Sequence, residues 1–405
     1  MKRFITLSLA AAAVLSAAAA EPADSVAADT DGFAVTDVNS VPTTSVKDQN
    51  KSGTCWCFSG TSFYEDEILR AGGDSLDLSE MFTVRMCYAD KADRYVRMYG
   101  KTNFGPGGSV LDVPYVWARY GVMPEEVYSG LNYGEDKHVH GELDAILTSM
   151  VEQVVKNPNR KISPAWRAAY DGVLDAYFGK VPETFTYKGK TYTPQSFAAS
   201  LGISPDDYVA VTSFTHHPFY EPFVLEVADN WLWAPYVNVP MQDMKAIVDN
   251  ALANGYTVAW AADVSEPGFK WKEGVALMPK GKDEGDMTGT ELSRWVKLSD
   301  QERAADRYKF TGPVPEVEVT QQMRQQMFDS QETTDDHGMV IVGTATDRLG
   351  NRYYKVKNSW DTNQIYGGYF YVSEPYFLAK TIDIYVNKAA VPADIARKAG
   401  IKKGK

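Results

Sequence analysis

The sequence predicts an α+β fold from three observations: a helical stretch that begins at a cysteine, a strand–turn–strand unit near the C-terminus, and a long mixed segment between them. From Cys55 onward Phe58, Thr61, Tyr64 and Ile68 recur at helical spacing, and Gly72-Gly73 stops the run, which places Cys55 at a helix N-terminus. "MVIVGTAT" and "RYYKVKNSW" are strand-like, and the turn-rich "DRLGN" between them predicts an antiparallel hairpin. Residues equidistant from a turn face each other, and the midpoint of positions 337 and 358 falls at the start of this turn. His337 and Asn358 are therefore expected to meet across the strands. Residues from about 131 to 235 mix amphipathic helices (143–156 and 165–177) with a hairpin at Lys188-Gly189, and read as inserted material. "MQDMKAIVDNALANG" then reads as a helix ending at Gly255, "YTVAWAADV" as a buried strand and "DEGDMTGTELSRW" as a polar loop.

With 44% hydrophobic and 23% charged residues over 405 positions, the chain can build a core without staples, and three cysteines are too few for a disulfide framework. The 53 acidic side chains outnumber 41 basic ones, which disfavours nucleic acid or an anionic membrane surface as partner. Met1-Lys2-Arg3, an apolar run from Phe4 to Leu15 and Ala18-Ala19-Ala20 have the charge, apolar centre and small-residue exit of a secretory signal. Cleavage after Ala20 is expected, so the mature protein is expected to be periplasmic or extracellular. Residues 21–32 read as a mobile polar leader, 33–387 as the folded domain and 388–405 as a basic tail. No other stretch approaches membrane-span length.

The chemistry is suggested by Cys55. A cysteine at a helix N-terminus feels the positive end of the dipole, and a neighbouring imidazole lowers its pKa further, so a thiolate is expected at neutral pH. His337 supplies the imidazole and Asn358 an amide to orient it. Gln49, six residues before Cys55, adds a side-chain amide beside the Cys55 backbone N–H as donors to an oxyanion. This chemistry calls for no cofactor.

Gln49, Cys55-Trp56, Leu78-Ser79-Glu80, Gly107-Gly108, His337-Gly338 and Asn358-Ser359-Trp360 together, in this order, resemble the papain-type cysteine peptidases. "RQQMFD" from Arg324, "TTDDH" ending at His337, "YVNVP" from Tyr236 and "GYTVAWAADV" from Gly255 resemble one branch, the bleomycin hydrolase or aminopeptidase C family. The spacing agrees: His337 follows Cys55 by 337 − 55 = 282 positions, against about 130–150 in the common papain-like enzymes. The resemblance implies a helical left domain carrying the cysteine helix, an antiparallel β right domain carrying His and Asn, and a large insertion. It implies Cys55 as nucleophile, His337 as general base and acid, Asn358 as orienter and Gln49 as oxyanion donor. Trp360 would shield the His–Asn hydrogen bond, with Trp56 supporting, and Gly107 and Gly108 would let a substrate backbone approach. Peptides are the implied partners, and an aminopeptidase the implied enzyme. In the resembling branch the C-terminal arm lies in the cleft, its carboxylate holds the substrate amine, and subunits form a hexamer. The tail here, ending "ARKAGIKKGK", departs from that arm, so a cysteine endopeptidase stands as the alternative and a non-catalytic peptide-binding relative as a remoter one.

Other polar residues invite simpler readings. Cys57 lies about 200° around the helix from Cys55 and is expected to pack inside, so the two cannot share a metal on one helical face. A bridge between Cys57 and Cys87 stays open. His138 with His140, and His216 with His217, have no acidic or cysteine partner at ligand spacing, so no metal is expected. "NWLWAPY" reads as core or interface. Asp335 and Asp336 have three possible roles: perturbing His337, binding a substrate amine or shaping the loop.

Overall fold

The computed structural model describes residues 32–282 and 284–402. The signal, residues 21–31 of the leader and residues 403–405 of the tail lie outside them. Strand β1 (Thr36–Ser40) leads to helices α1 (Cys55–Arg70), α2 (Glu80–Arg97) and α3 (Asp112–Tyr120). The segment read as inserted then contributes α4 (Gly141–Val155), α5 (Ala165–Phe178), the hairpin β2 (Phe185–Tyr187) and β3 (Lys190–Tyr192), α6 (Pro194–Ser200), β4 (Tyr208–Thr212), β5 (Pro222–Val224) and β6 (Pro235–Asn238). After α7 (Met241–Ala253) come β7 (Val258–Ala262), the short β8 (Phe269–Lys270) and β9 (Val275–Ala276), and helices α8 (Gly289–Trp295), α9 (Asp300–Arg307) and α10 (Gln321–Asp329). The chain closes with β10 (His337–Thr346), β11 (Arg352–Lys357), β12 (Tyr369–Ser373), α11 (Glu374–Lys380), β13 (Thr381–Asn387) and α12 (Ala393–Lys398).

Local chemistry explains the starts and stops. Ser79, Thr320 and Ser373 cap α2, α10 and α11 by accepting from the third residue beyond, which satisfies one of the orphan amides of each first turn. Lys188 and Gly189 both take positive φ, +47° and +76°, as the two-residue turn between β2 and β3 requires. The "DEGDMTGTELSRW" stretch is not a loop: it forms a short turn and then α8. The missed signal is a capping pattern, with the Glu291 carboxylate accepting from the Thr288 amide at 3.1 Å.

Two apolar layers flank α1. On one side Phe63, Phe82, Val116, Leu147 and Leu174 unite α1, α2, α3, α4 and α5 in a helical core. On the other, β7, β10, β11, β12 and β13 form a sheet whose far face packs on α7 and α11 through Ile247, Val258, Ile341 and Phe377. Helix α1 is buried from Trp56 to Ile68, as expected of a helix held between layers. The sheet order is β5-β6-β4-β13-β7-β10-β11-β12-β9-β8, with β1 also on β10; β4/β6 and β9/β12 are parallel and the other pairs antiparallel. The inserted segment is thus shared between the halves: α4 and α5 join the helical core, and β4 extends the sheet by pairing with β13.

The hairpin forms with a different register from the expected one. Pairing runs from Thr346↔Arg352 to Val340↔Lys357 with a bulge between Ile341 and Gly343, and Asn358 lies just past the last pair. His337 stands instead opposite Ala262 of β7. The ladder nearest the turn is centred on Leu349, the middle of "DRLGN", rather than on the start of that pentapeptide, and the bulge shifts the far end back by only one residue. Described residues of the basic tail are docked rather than free: Val391 and Ile395 are buried in the sheet-side core, and Ile401 packs on it. Among the described residues no helix is long and apolar enough to cross a membrane.

Candidate active site

Cys55 opens α1, and the Thr54 side chain caps none of that helix's free amides. Gly338 brings β10 against this first turn: a Cβ there would stand 2.6 Å from Ser59 Oγ and 3.2 Å from Trp56 Cα. Because Gly338 follows His337, the same close approach sets the imidazole and the thiol on one pocket, which both residues line. His337 Nε2 lies 2.7 Å from Asn358 Oδ1, so the expected pair meets despite the shifted register, with Asn358 reaching back from beyond the ladder.

The tautomer follows from a neighbouring bond. Asn358 Oδ1 also accepts the Ser359 backbone N–H at 2.8 Å, which fixes the amide orientation. Nε2 of His337 must then donate, and Nδ1 carries the lone pair as the nitrogen available to the thiol. Trp360 lies over the imidazole, ring centroids 4.5 Å apart and 32° between planes, and is itself wedged by the edges of Phe269 and Trp271. Its indole therefore covers the His–Asn pair.

Gln49 sits in the loop just before α1 and is clamped at both ends. Its Oε1 accepts from Ser359 Oγ at 2.7 Å, and its Nε2 donates one hydrogen to Ser52 O at 3.0 Å, leaving the second N–H uncommitted. Trp56, 2% exposed, donates Nε1–H to Pro106 O at 2.9 Å and so holds the glycine-rich segment. The two glycines are required by packing: a Cβ on Gly107 would strike the Asp229 carboxylate, and one on Gly108 would stand 3.0 Å from the Trp56 ring and closer still to Asp112. Gly108 lines the Cys55 pocket and Gly107 does not.

The electrostatics of burial oppose one expectation, the thiolate. Burial pushes the Cys55 thiol up to about 12, with the Gly338 amide opposing and the negative charges of Asp335 and Asp229 adding to the rise. Burial likewise pushes His337 down to about 4 against the Asn358 hydrogen bond and the Asp336 charge. Desolvation thus opposes the charge of each group taken alone and works against the helix end at Cys55.

Acidic groups complete the pocket, and Asp229 and Asp383 were not anticipated. Asp335, Asp336, Asp229 and Asp383 line it together with Cys55. Asp336 also shapes the loop, accepting from Ser265 N at 3.1 Å, Val264 N at 3.3 Å and Thr334 Oγ1 at 2.8 Å. The only sequence signal for Asp383 was an acid inside the apolar run "TIDIYV".

Elsewhere, Cys57 and Cys87 are fully buried and all three cysteines are free thiols. Trp231 of the aromatic cluster is core, donating to Asp112 Oδ2 at 2.7 Å, while Trp233 is half exposed over Arg94. His138 and His140 are buried against one another rather than in a polar stretch. His216 and His217 do have an acidic partner: each Nε2 lies 3.0 Å from one oxygen of Glu226. Thr215 N–H fixes the Gln325 amide so that it donates to His216 Nδ1 at 3.1 Å, which leaves that Nε2 protonated and donating to Glu226. The cluster is a hydrogen-bonded staple between segments.

Residues 33–198 match the family model described as Papain family cysteine protease, and residues 284–402 that of the Peptidase C1-like family. Aminopeptidase C of Lactobacillus delbrueckii subsp. lactis is 23% identical over 401 residues, 88% of this chain and 82% of that protein. Aminopeptidase G of the same organism is 24% identical over 393 residues, 87% and 83% of the two chains. The crystal structure of PepW from Lactobacillus rhamnosis HN001 superposes with a TM-score of 0.66 at 18% identity, covering 91% of this chain and 86% of that one, a likeness of fold. With a cysteine-bearing helix set against a His- and Asn-bearing sheet, and with both halves matched, the chain belongs to the papain-like cysteine peptidases.

Proposed function

We propose that the protein is a cysteine aminopeptidase of the bleomycin hydrolase and aminopeptidase C type, removing N-terminal residues from peptides through a thioester acyl-enzyme. The observation that carries the mechanism is the fixed tautomer of His337, which leaves Nδ1 basic beside Cys55. Relatives named as aminopeptidases support the exopeptidase assignment. In the reaction Cys55 Sγ attacks the scissile carbonyl as its proton passes to His337 Nδ1. Charge gathers on the carbonyl oxygen, where the Cys55 N–H and the uncommitted N–H of Gln49 are the available donors. Collapse expels the amine, which takes the proton from His337. Water, deprotonated by the same nitrogen, then cleaves the thioester and restores the thiol. Asn358 holds the ring through Nε2, and Trp360 keeps water from that bond.

A cysteine endopeptidase is the second reading, favoured by one observation: none of the described tail residues lines the Cys55 pocket. Purified Cys55→Ala is expected to fold and lose turnover; hydrolysis at the wild-type rate would sink the mechanism. A fluorogenic aminoacyl amide and its N-acetylated twin decide between the two readings, and equal cleavage of both would sink the aminopeptidase. Export, carried by the leader sequence of residues 1–20, and hexamer assembly, carried by the family resemblance, belong to the same proposal. Light scattering on the mature chain checks the second.

A further inference from the structure

The pocket beside Cys55 has one wall of carboxylates with no cation to meet them. Asp383 of β13 pairs with Ala261 of β7, which pairs with Gly338 of β10, so a single row across the sheet leads from Asp383 to the turn that carries Cys55. Asp383 is 3% exposed, and its Oδ1 has no hydrogen-bond partner. Asp335 enters from the loop before β10 and accepts no hydrogen bond from the described residues, while Asp229 accepts one, from Asn103 at 3.0 Å. Lys91 attracts Asp229, but its ammonium is spent on the Gly105 and Gly107 carbonyls and does not reach the pocket lining. Neither lysine nor arginine lines the space.

Ionising a buried, unpartnered carboxylate such as Asp383 is costly, and Asp335 and Asp229 stand half-buried on the same pocket, so the cluster either keeps protons or takes a counter-charge that arrives from outside. The pocket that they share with Cys55 and His337 has a volume of about 20 Å³, room for one group the size of a water molecule. A primary ammonium has that size, carries positive charge and offers three donors. In a peptide, the terminal nitrogen is separated from the first carbonyl carbon only by one α-carbon. A carbonyl placed at Cys55 therefore brings the terminal ammonium into the adjoining space.

We propose that Asp383, Asp335 and Asp229 form an ammonium site that receives the free N-terminus of the substrate, and that this site sets the preference for unblocked peptides. The inference rests on the aminopeptidase reading and adds to it the residues that select the amine. It also gives binding a role in activation. Asp335 and Asp229 repel a negative charge on Cys55, and a bound ammonium neutralises them, so a substrate with a free amine eases ionisation of the thiol that attacks it.

The test compares the full chain with Asp383→Asn and Asp335→Asn, both close to isosteric. Three substrates are used: an aminoacyl fluorogenic amide with free amine, its N-acetylated twin, and an N-acetyl-lysyl dipeptide amide whose only ammonium is a side chain. For each variant, kcat/KM on the free amine is expected to fall about tenfold to hundredfold, chiefly through KM, as loss of a charge-assisted contact predicts. Alkylation of Cys55 by iodoacetamide is expected to persist, and neither variant should melt below the wild type. Should both variants keep the free-amine preference, the site is wrong while the aminopeptidase stands. Should the wild type cleave the acetylated twin equally, the aminopeptidase reading itself falls. Preference for the lysyl substrate, lost in the variants, would reassign the carboxylates to a basic side chain and overturn the proposal.

Discussion

The two walls of the Cys55 pocket are furnished in opposite ways. On the His337 side hydrogen bonds fix each working group: the imidazole by Asn358, the Asn358 oxygen by Ser359 N, and Gln49 by Ser359 Oγ and Ser52 O. On the Asp383 side the carboxylates have almost no protein partners. A wall that must hold a proton donor in one orientation needs its bonds made in advance, since reorienting at the moment of reaction would cost rate. A wall that receives a charged ligand keeps its acceptors vacant and bears the cost of burying them. Stability and function thus separate across a single cleft.

Breaking the furnished wall should have the larger effect. His337→Ala removes the proton carrier, and steady-state kcat is expected to drop by about 10²–10⁴, the usual worth of general acid–base catalysis. Adding imidazole to that variant should restore part of the rate, which a purely structural defect would not allow. Asn358→Leu removes the orienting oxygen, and with it the acceptor of the Ser359 N–H, and frees Nε2, so the ring can adopt either tautomer. A drop of roughly tenfold to hundredfold in kcat is expected with KM little changed, since the residue acts through His337. A larger loss than in His337→Ala would contradict that positioning role.

How far the sequence foresaw this cleft follows the same division. Cys55, His337, Asn358 and Gln49 were legible because each needs a particular residue type, and Cys55 sits where the helical periodicity begins. The pairing of His337 with Asn358 was right, although the expected register was not. The chain reverses about Leu349, the middle of "DRLGN", and a hydrophobic pattern does not fix where within such a pentapeptide the turn is centred; the Asn358 side chain makes up the difference. The desolvation that opposes thiol ionisation was not legible, because a helix terminus is visible in sequence whereas burial against Trp56, Gly338 and the opposing sheet is a tertiary property. Of the acidic wall only Asp335 was legible, through its place beside His337; Asp229 and Asp383 come from two other, distant segments and join it only when β13 lies beside β7. Glu226 escaped notice likewise, since its place beside His216 and His217 depends on the chain returning through β5. The inserted segment was recognised by its mixed pattern, but sharing its strands with the main sheet is a matter of topology that periodicity does not encode.

The vacant wall should reveal itself in stability against pH. Burial raises Asp335 to about 7, with Asp229 and Asp336 adding, whereas an unfolded aspartate titrates near about 4. Below the unfolded value both states are protonated and the residue costs nothing. As pH rises from about 4 through 7 the unfolded chain gives up this proton first, so stability declines, at most about 1.4 kcal/mol per pH unit for one group. Asp335→Asn removes that decline. The urea midpoints of variant and wild type are expected to coincide near pH 4, diverge in the variant's favour up to about pH 7 and run parallel above it. The difference between the two curves is the quantity to read, because His140 works oppositely over the same window. Held down to about 4 by burial, with both ring nitrogens unpartnered, it loses stability as pH falls from about 6.5. That loss is common to both proteins and cancels, so a gap that stayed constant from pH 4 to 8 would mean Asp335 is already neutralised, and the wall would not be vacant.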